Sequence, residues 1–143
     1  RASAVEKSAT AGTSGLDAKQ VAYIELRIAL ITTAGLHFRD DSRFVFADAS
    51  FRPIAPGEDS NNLIMLDSFI DFDKAGFIDN VNRVFAIEGF RELEAEDKIG
   101  SLASIHYSFM GAGLDPHAYE QSSSLIAGLL KQDKVDAIFL TPV

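Results

Sequence analysis

The chain has 143 residues, 13 of them basic and 21 acidic for a net charge of −8, and it contains no cysteine. That length accommodates one domain with a real core, while the missing cysteine removes disulfides, thiol catalysis and thiolate metal sites from the residues present. Lysine and arginine gather into no stripe, so a nucleic-acid backbone has no electrostatic counterpart here; the longest apolar runs, near Ile28 and over 135–143, fall far short of the roughly 20 residues that span a bilayer.

No apolar segment precedes a small-residue cleavage pattern at the amino end, so nothing directs export and a cytoplasmic location is the expectation. Residues 1–15, rich in alanine, serine, threonine and glycine without apolar periodicity, cannot repay the entropy of ordering them and read as a disordered tail. Residues 16–143 read as a single α/β domain, with a short helical turn within 17–25.

Residues 27–33 are apolar at successive positions, the pattern of a strand covered on both faces. Ala34-Gly35 allows a sharp turn and leaves Leu36-His37-Phe38 at the strand's carboxyl end. Residues 44–46 and 50–54 are short β-like pieces, and Pro53 marks the second as an edge or an irregular excursion. Proline, glycine, aspartate and asparagine make 55–62 a loop, and 63–66 reads as a second buried strand. The aspartates of 67–82 lack the glycine and glutamate spacing of a calcium loop and read as solvated acids.

Ile87, Phe90 and Leu93, with Glu88, Arg91, Glu92, Glu94 and Glu96 opposite, describe an amphipathic helix ending near Lys98, with Gly100 placed to stop it. A third strand follows over 101–110. Asp115-Pro116 is a helix start, with a capping carboxylate and proline in the first turn, and the helix runs to about Gln132. The last strand spans 135–141. The order calls for a mainly parallel sheet with flanking helices and right-handed crossovers, Rossmann-like or flavodoxin-like and incomplete at its carboxyl end.

In such sheets ligands bind beyond the carboxyl ends of the strands. His37 and His106 are expected near two of those ends, where they could share a crevice and exchange protons near neutral pH; alternatively each is buried and satisfied by backbone. His117 reads as an exposed bystander. Arg52, with Ser50 beside it, could anchor a substrate carboxylate through its planar fork, or serve a surface salt bridge. The glycines form no dinucleotide signature, and no serine lies in a nucleophile-elbow pattern.

Five segments, taken in order, resemble the selenoprotein B family of the glycine, sarcosine, betaine and D-proline reductases: Ile28-Ala29-Leu30-Ile31-Thr32-Thr33-Ala34-Gly35-Leu36-His37, Asp48-Ala49-Ser50-Phe51-Arg52-Pro53-Ile54, Phe90-Arg91-Glu92-Leu93 with Ile99-Gly100, His106-Tyr107-Ser108-Phe109-Met110-Gly111, and Val135-Asp136-Ala137 with Leu140-Thr141-Pro142-Val143. The resemblance implies reductive cleavage of a C–N bond in a small amino acid. It implies a selenocysteine, or cysteine in its place, directly after Val143, with Thr141 positioning the loop that carries it. It also implies a partner subunit whose pyruvoyl group activates the substrate amine, and a redox carrier protein; no cofactor or metal is expected in this chain. Phe69 stands where relatives have a histidine, which bears on amino-acid specificity. On this reading the chain is the amino-terminal part of a longer protein, ended where a selenocysteine codon is read as a stop, inert by itself and prone to self-association. The competing expectation is a non-catalytic small-ligand-binding or subunit-scaffold domain.

Overall fold

A computed structural model of the chain describes residues 22–57, 62–65, 81–111 and 113–143. The tail at 1–15, residues 17–21 of the expected first turn, the acidic stretch at 67–80 and Phe69 lie outside the described residues.

The sheet is built around β1 (Arg27–Thr32), whose Ile28, Ala29 and Leu30 are all buried. Its apolar side chains project to both faces because successive strand residues alternate: Ile28 and Leu30 enter one core cluster, and Ala29 and Ile31 another. On one side β1 pairs in parallel with β5 (Ser101–Leu102) and then with β6 (His106–Phe109); on the other it pairs in parallel with β7 (Ala137–Thr141). β3 (Phe51–Ile54) runs antiparallel along the outer side of β6, the edge location that Pro53 requires. The result is a mixed, mostly parallel sheet of the α/β class.

Helix α1 (Ile87–Ala95) packs Ile87, Phe90 and Leu93 on the cluster that contains Leu30, and α2 (Glu120–Gln132) packs Ile126 and Leu130 on the cluster that contains Ala29. One helix therefore covers each face, as a strand apolar on both sides demands. Both helices end in a paired 6→1 and 5→2 closure around a residue in the left-handed region. In α1, Lys98 N–H bonds Leu93 C=O at 2.9 Å and Asp97 N–H bonds Glu94 C=O at 3.1 Å, with Asp97 at φ 56. In α2, Val135 N–H bonds Leu130 C=O at 3.0 Å and Lys134 N–H bonds Lys131 C=O at 3.1 Å, with Lys134 at φ 56.

Several expectations need correction. Helix α1 stops at Ala95, and Asp97 provides the left-handed residue. Gly100 instead allows close backbone approach, since a Cβ there would sit 2.8 Å from Leu26 O. The strand expected over 63–66 is β4 (Leu63–Met65), which pairs antiparallel with β2 (Leu36–Phe38) in a separate two-stranded sheet. Residues 44–46 form no strand; Phe44 is buried, but Val45 and Phe46 are exposed. The strand expected over 101–110 is broken in two, and the register with β1 slips by two residues between Leu102 and Tyr107. The break lies where Arg27 pulls the chain aside: its guanidinium donates to Leu102 O at 2.7 Å and Ser104 Oγ at 3.0 Å, while Ser104 N–H turns to Asp133 Oδ2 at 2.6 Å.

Candidate functional site at the carboxyl edge of the sheet

The ends of β1, β6 and β7 converge on one edge, and backbone geometry dictates how. After β1 the chain turns at Gly35, whose φ of 65 favours glycine, and Gly35 N–H bonds Phe109 C=O at 2.8 Å. Buried hydroxyls serve the turn. Thr32 Oγ1 donates to Val84 O at 2.8 Å and accepts from Ala34 N–H at 3.2 Å, and Ser108 Oγ accepts from Leu36 N–H at 2.8 Å. Such bonds remove the cost of burying unpaired backbone groups. Tyr119 Oη donates to Met110 O at 2.6 Å, tying the start of α2 to the end of β6.

His37 lies on β2 just past this turn, 3 % exposed. Its Nδ1 faces Gly35 O at 3.3 Å; a carbonyl can only accept, so this contact calls for the tautomer protonated on Nδ1. Its ring meets Phe44 edge-on, with centroids 6.1 Å apart, and Arg52 Cζ sits 4.3 Å above that same phenylalanine. His37 and Arg52 thus share Phe44 as a neighbour.

All five N–H groups of Arg52 are engaged by the chain. Nε donates to Ser42 O, Nη1 to Ser50 Oγ and Phe51 O, and Nη2 to Arg43 O and Asp48 Oδ2, at 2.7 to 3.2 Å. Burial by itself would raise the Asp48 pKa, but bonds from the Ser50 hydroxyl and amide and from Val45 N–H, with the Arg52 charge, hold it below the usual carboxylate range. Ser50 and Arg52 therefore pin the loop over 42–50; a substrate carboxylate would have to displace one of these acceptors to reach the guanidinium.

His106 does not join His37. It opens β6, at the amino end of the strand, is fully buried, and accepts Leu30 N–H on Nδ1 at 2.9 Å. Nε2 must then carry the proton, and among the described residues it has no hydrogen-bond partner; the ring lies against Phe85, with centroids 5.9 Å apart. Burial, with the nearby Arg91 charge, pushes its pKa down to about 4. It is a neutral core histidine, and the break after Leu102 makes it the first residue of β6 rather than one near the strand's carboxyl end. His117 is exposed and pairs with Glu120 at 2.7 Å.

Thr141, the remaining sequence candidate, gives its carbonyl to Thr33 N–H at 3.2 Å. Thr33 itself, which sequence reasoning does not single out, meets Val143: its Oγ1 accepts Val143 N–H at 2.9 Å and lies 3.4 Å from Val143 O. The available signal is a pair of threonines closing an otherwise apolar strand. Among the described residues no group of three or more histidine, aspartate or glutamate side chains could hold a metal ion, and no helix is long and apolar enough to cross a membrane.

Residues 25–143 match the family described as glycine/sarcosine/betaine reductase selenoprotein B. The chain is 40% identical over 119 residues to D-proline reductase subunit gamma of Acetoanaerobium sticklandii, covering 82% of this chain and 48% of that protein. It is 37% identical over 62 residues to glycine reductase complex component B subunit gamma of Carboxydothermus hydrogenoformans, covering 43% of this chain and 14% of that one. The chain thus spans about half the length of the D-proline reductase subunit and less of the other. No solved structure matches. With the match running from Glu25, the last residue of the 3-10 turn, through every described strand and helix to Val143, the chain belongs to the glycine/sarcosine/betaine reductase selenoprotein B family.

Proposed function

We propose that the chain is the amino-terminal part of a selenoprotein B-type subunit, acting in the cytoplasm within a reductase that cleaves the C–N bond of glycine, sarcosine, betaine or D-proline. The observation that carries this reading is the family match over 25–143, and the convergence of β1, β6 and β7 on one edge supports it, since parallel sheets bind ligands beyond such an edge. The nucleophile, a selenocysteine or cysteine, follows Val143. The amine of glycine, sarcosine or D-proline is activated by a pyruvoyl group on a partner subunit, a step closed to the quaternary nitrogen of betaine, and a redox carrier protein supplies the reducing electrons. The described residues of this chain hold the strand ends through the hydrogen bonds of Thr33, Gly35, Ser108 and Gly111, and His37, just past the Gly35 turn, is the candidate side chain for proton transfer.

Two measurements test this reading. Mass and selenium analysis of the polypeptide from its native source should find it longer than 143 residues, with selenium or a cysteine next to Val143; a product ending at Val143 there overturns the proposal. In the presence of a dithiol the assembled complex should cleave one of the four, releasing ammonia or an amine from glycine, sarcosine or betaine or opening the ring of D-proline to a single linear amino acid, and turnover of none of them would do the same. A second reading, a subunit scaffold without chemistry of its own, is favoured by the full engagement of Arg52 and the burial of His106. It predicts an active complex whose activity survives loss of the residue after Val143.

A further inference from the structure

The last rung between β1 and β7 is irregular in an informative way. In a parallel ladder a residue donates its N–H to one neighbour on the partner strand and accepts on its C=O from the residue two further on. Thr33 obeys the first half, with its N–H on Thr141 O at 3.2 Å. Its carbonyl, however, takes Gly111 N–H at 3.0 Å from the opposite side, and Val143 N–H goes instead to the Thr33 hydroxyl at 2.9 Å. A side chain has replaced the backbone acceptor, so the chain leaves β7 displaced from the strand line by the reach of that hydroxyl. Pro142 fits this exit: N–H groups alternate along a strand, and with Val143 N–H aimed at β1 the N–H that Pro142 lacks would face the other way.

Gly111 locks the arrangement. A Cβ at Gly111 would lie 2.7 Å from Thr33 Cβ and 2.9 Å from both Thr33 O and Thr33 Oγ1, so only glycine lets the β6 exit approach closely enough to occupy the Thr33 carbonyl. Three strand ends are thereby fastened through one residue.

We propose that Thr33 is a positioning residue, whose hydroxyl sets the direction in which the chain leaves β7 at Val143. For catalysis this rests on the reading that the nucleophile follows Val143; the structural half stands apart from it. A hydroxyl that meets both the N–H and the carbonyl oxygen of Val143 fixes the first atoms of the following segment, and misplacement of a reacting group by about 1 Å costs on the order of 100-fold in rate.

The test uses Thr33→Val, which keeps the shape and loses the acceptor, and Thr33→Ser, which keeps the acceptor. In the 143-residue chain, amide exchange followed by NMR should show Val143 N–H protected in wild type and Thr33→Ser, and exchanging about 5- to 10-fold faster in Thr33→Val, as expected for loss of one hydrogen bond. In the assembled full-length complex, Thr33→Val should lower kcat by on the order of 10-fold with KM unchanged, and Thr33→Ser should restore it. Fast exchange of Val143 in the wild type overturns the proposal even if Thr33→Val fails to fold; so does a Thr33→Val enzyme with wild-type kcat, or a Thr33→Ser enzyme that rescues nothing. If the wild-type complex cleaves none of the four amino acids, the functional reading fails, and the exchange result still decides the clamp.

Discussion

The imidazole of His106 takes the amide hydrogen of Leu30 at 2.9 Å, a side chain inserted into the central strand's hydrogen bonding. The bond requires the neutral ring, and burial favours that form, pushing the pKa down to about 4 from an ordinary 6.5. The unfolded chain therefore binds this proton first as pH falls. The contribution is intact above pH 6.5 and is lost progressively toward pH 4. Urea unfolding should lose about 2 to 3 kcal/mol between pH 7 and 4.5 from this group. In His106→Asn, whose carbonyl can still accept Leu30 N–H, that part of the slope should vanish; equal slopes would refute the assignment.

Arg52 is expected to be a loop organiser. Its fork satisfies four carbonyl or hydroxyl oxygens and the Asp48 carboxylate together, a pattern an ammonium cannot reproduce. Arg52→Lys should therefore cost about 2 kcal/mol and speed amide exchange across 42–50, although the charge is kept. Unchanged exchange in that loop would contradict the role.

At the opposite edge of the sheet, Arg27 joins β1, β5 and the end of α2. It bonds Asp133 O at 2.7 Å, Asp133 Oδ1 at 2.6 Å, Leu102 O at 2.7 Å, and the hydroxyls of Ser101 and Ser104. Burial alone would raise the Asp133 pKa, but Arg27 and Ser104 outweigh it and lower it. That contribution is present at neutral pH and is lost as pH falls through the acid range. Arg27→Met should destabilise the fold by about 2 kcal/mol at neutral pH after allowing for partial solvent exposure, and the deficit should shrink as pH falls and Asp133 protonates; a deficit that stays constant across the acid range would refute the pairing.

Strand β7 exposes Ile138, Phe139 and Leu140 at 52, 43 and 57 %. Phe139 lies against Phe90 of α1, with centroids 4.9 Å apart, while Ile138 and Leu140 point to the α2 side by strand alternation. An apolar strand open on both faces, with no charge in Ala137–Thr141 to discourage pairing, is a template for association. The 143-residue chain should sediment as a concentration-dependent oligomer, and Leu140→Lys should shift it toward monomer. A monomer at all concentrations would refute this.

The α/β class, the two helices and a central strand over 27–33 could be read directly from the chain, and Pro53 narrowed its segment to an edge or an irregular excursion, because each is written in local periodicity, capping or a missing N–H. The motifs in series also carried the family. That His106 is a core residue emerges only from the packed sheet, since its location turns on a two-residue slip at Arg27 and Asp133, which are 106 positions apart. The same holds for the saturation of Arg52 by its own loop and for the meeting of Thr33 with Val143 across 110 positions. A hydrogen-bond partner is set by which strand ends arrive at the same place, and no local pattern along the chain encodes that.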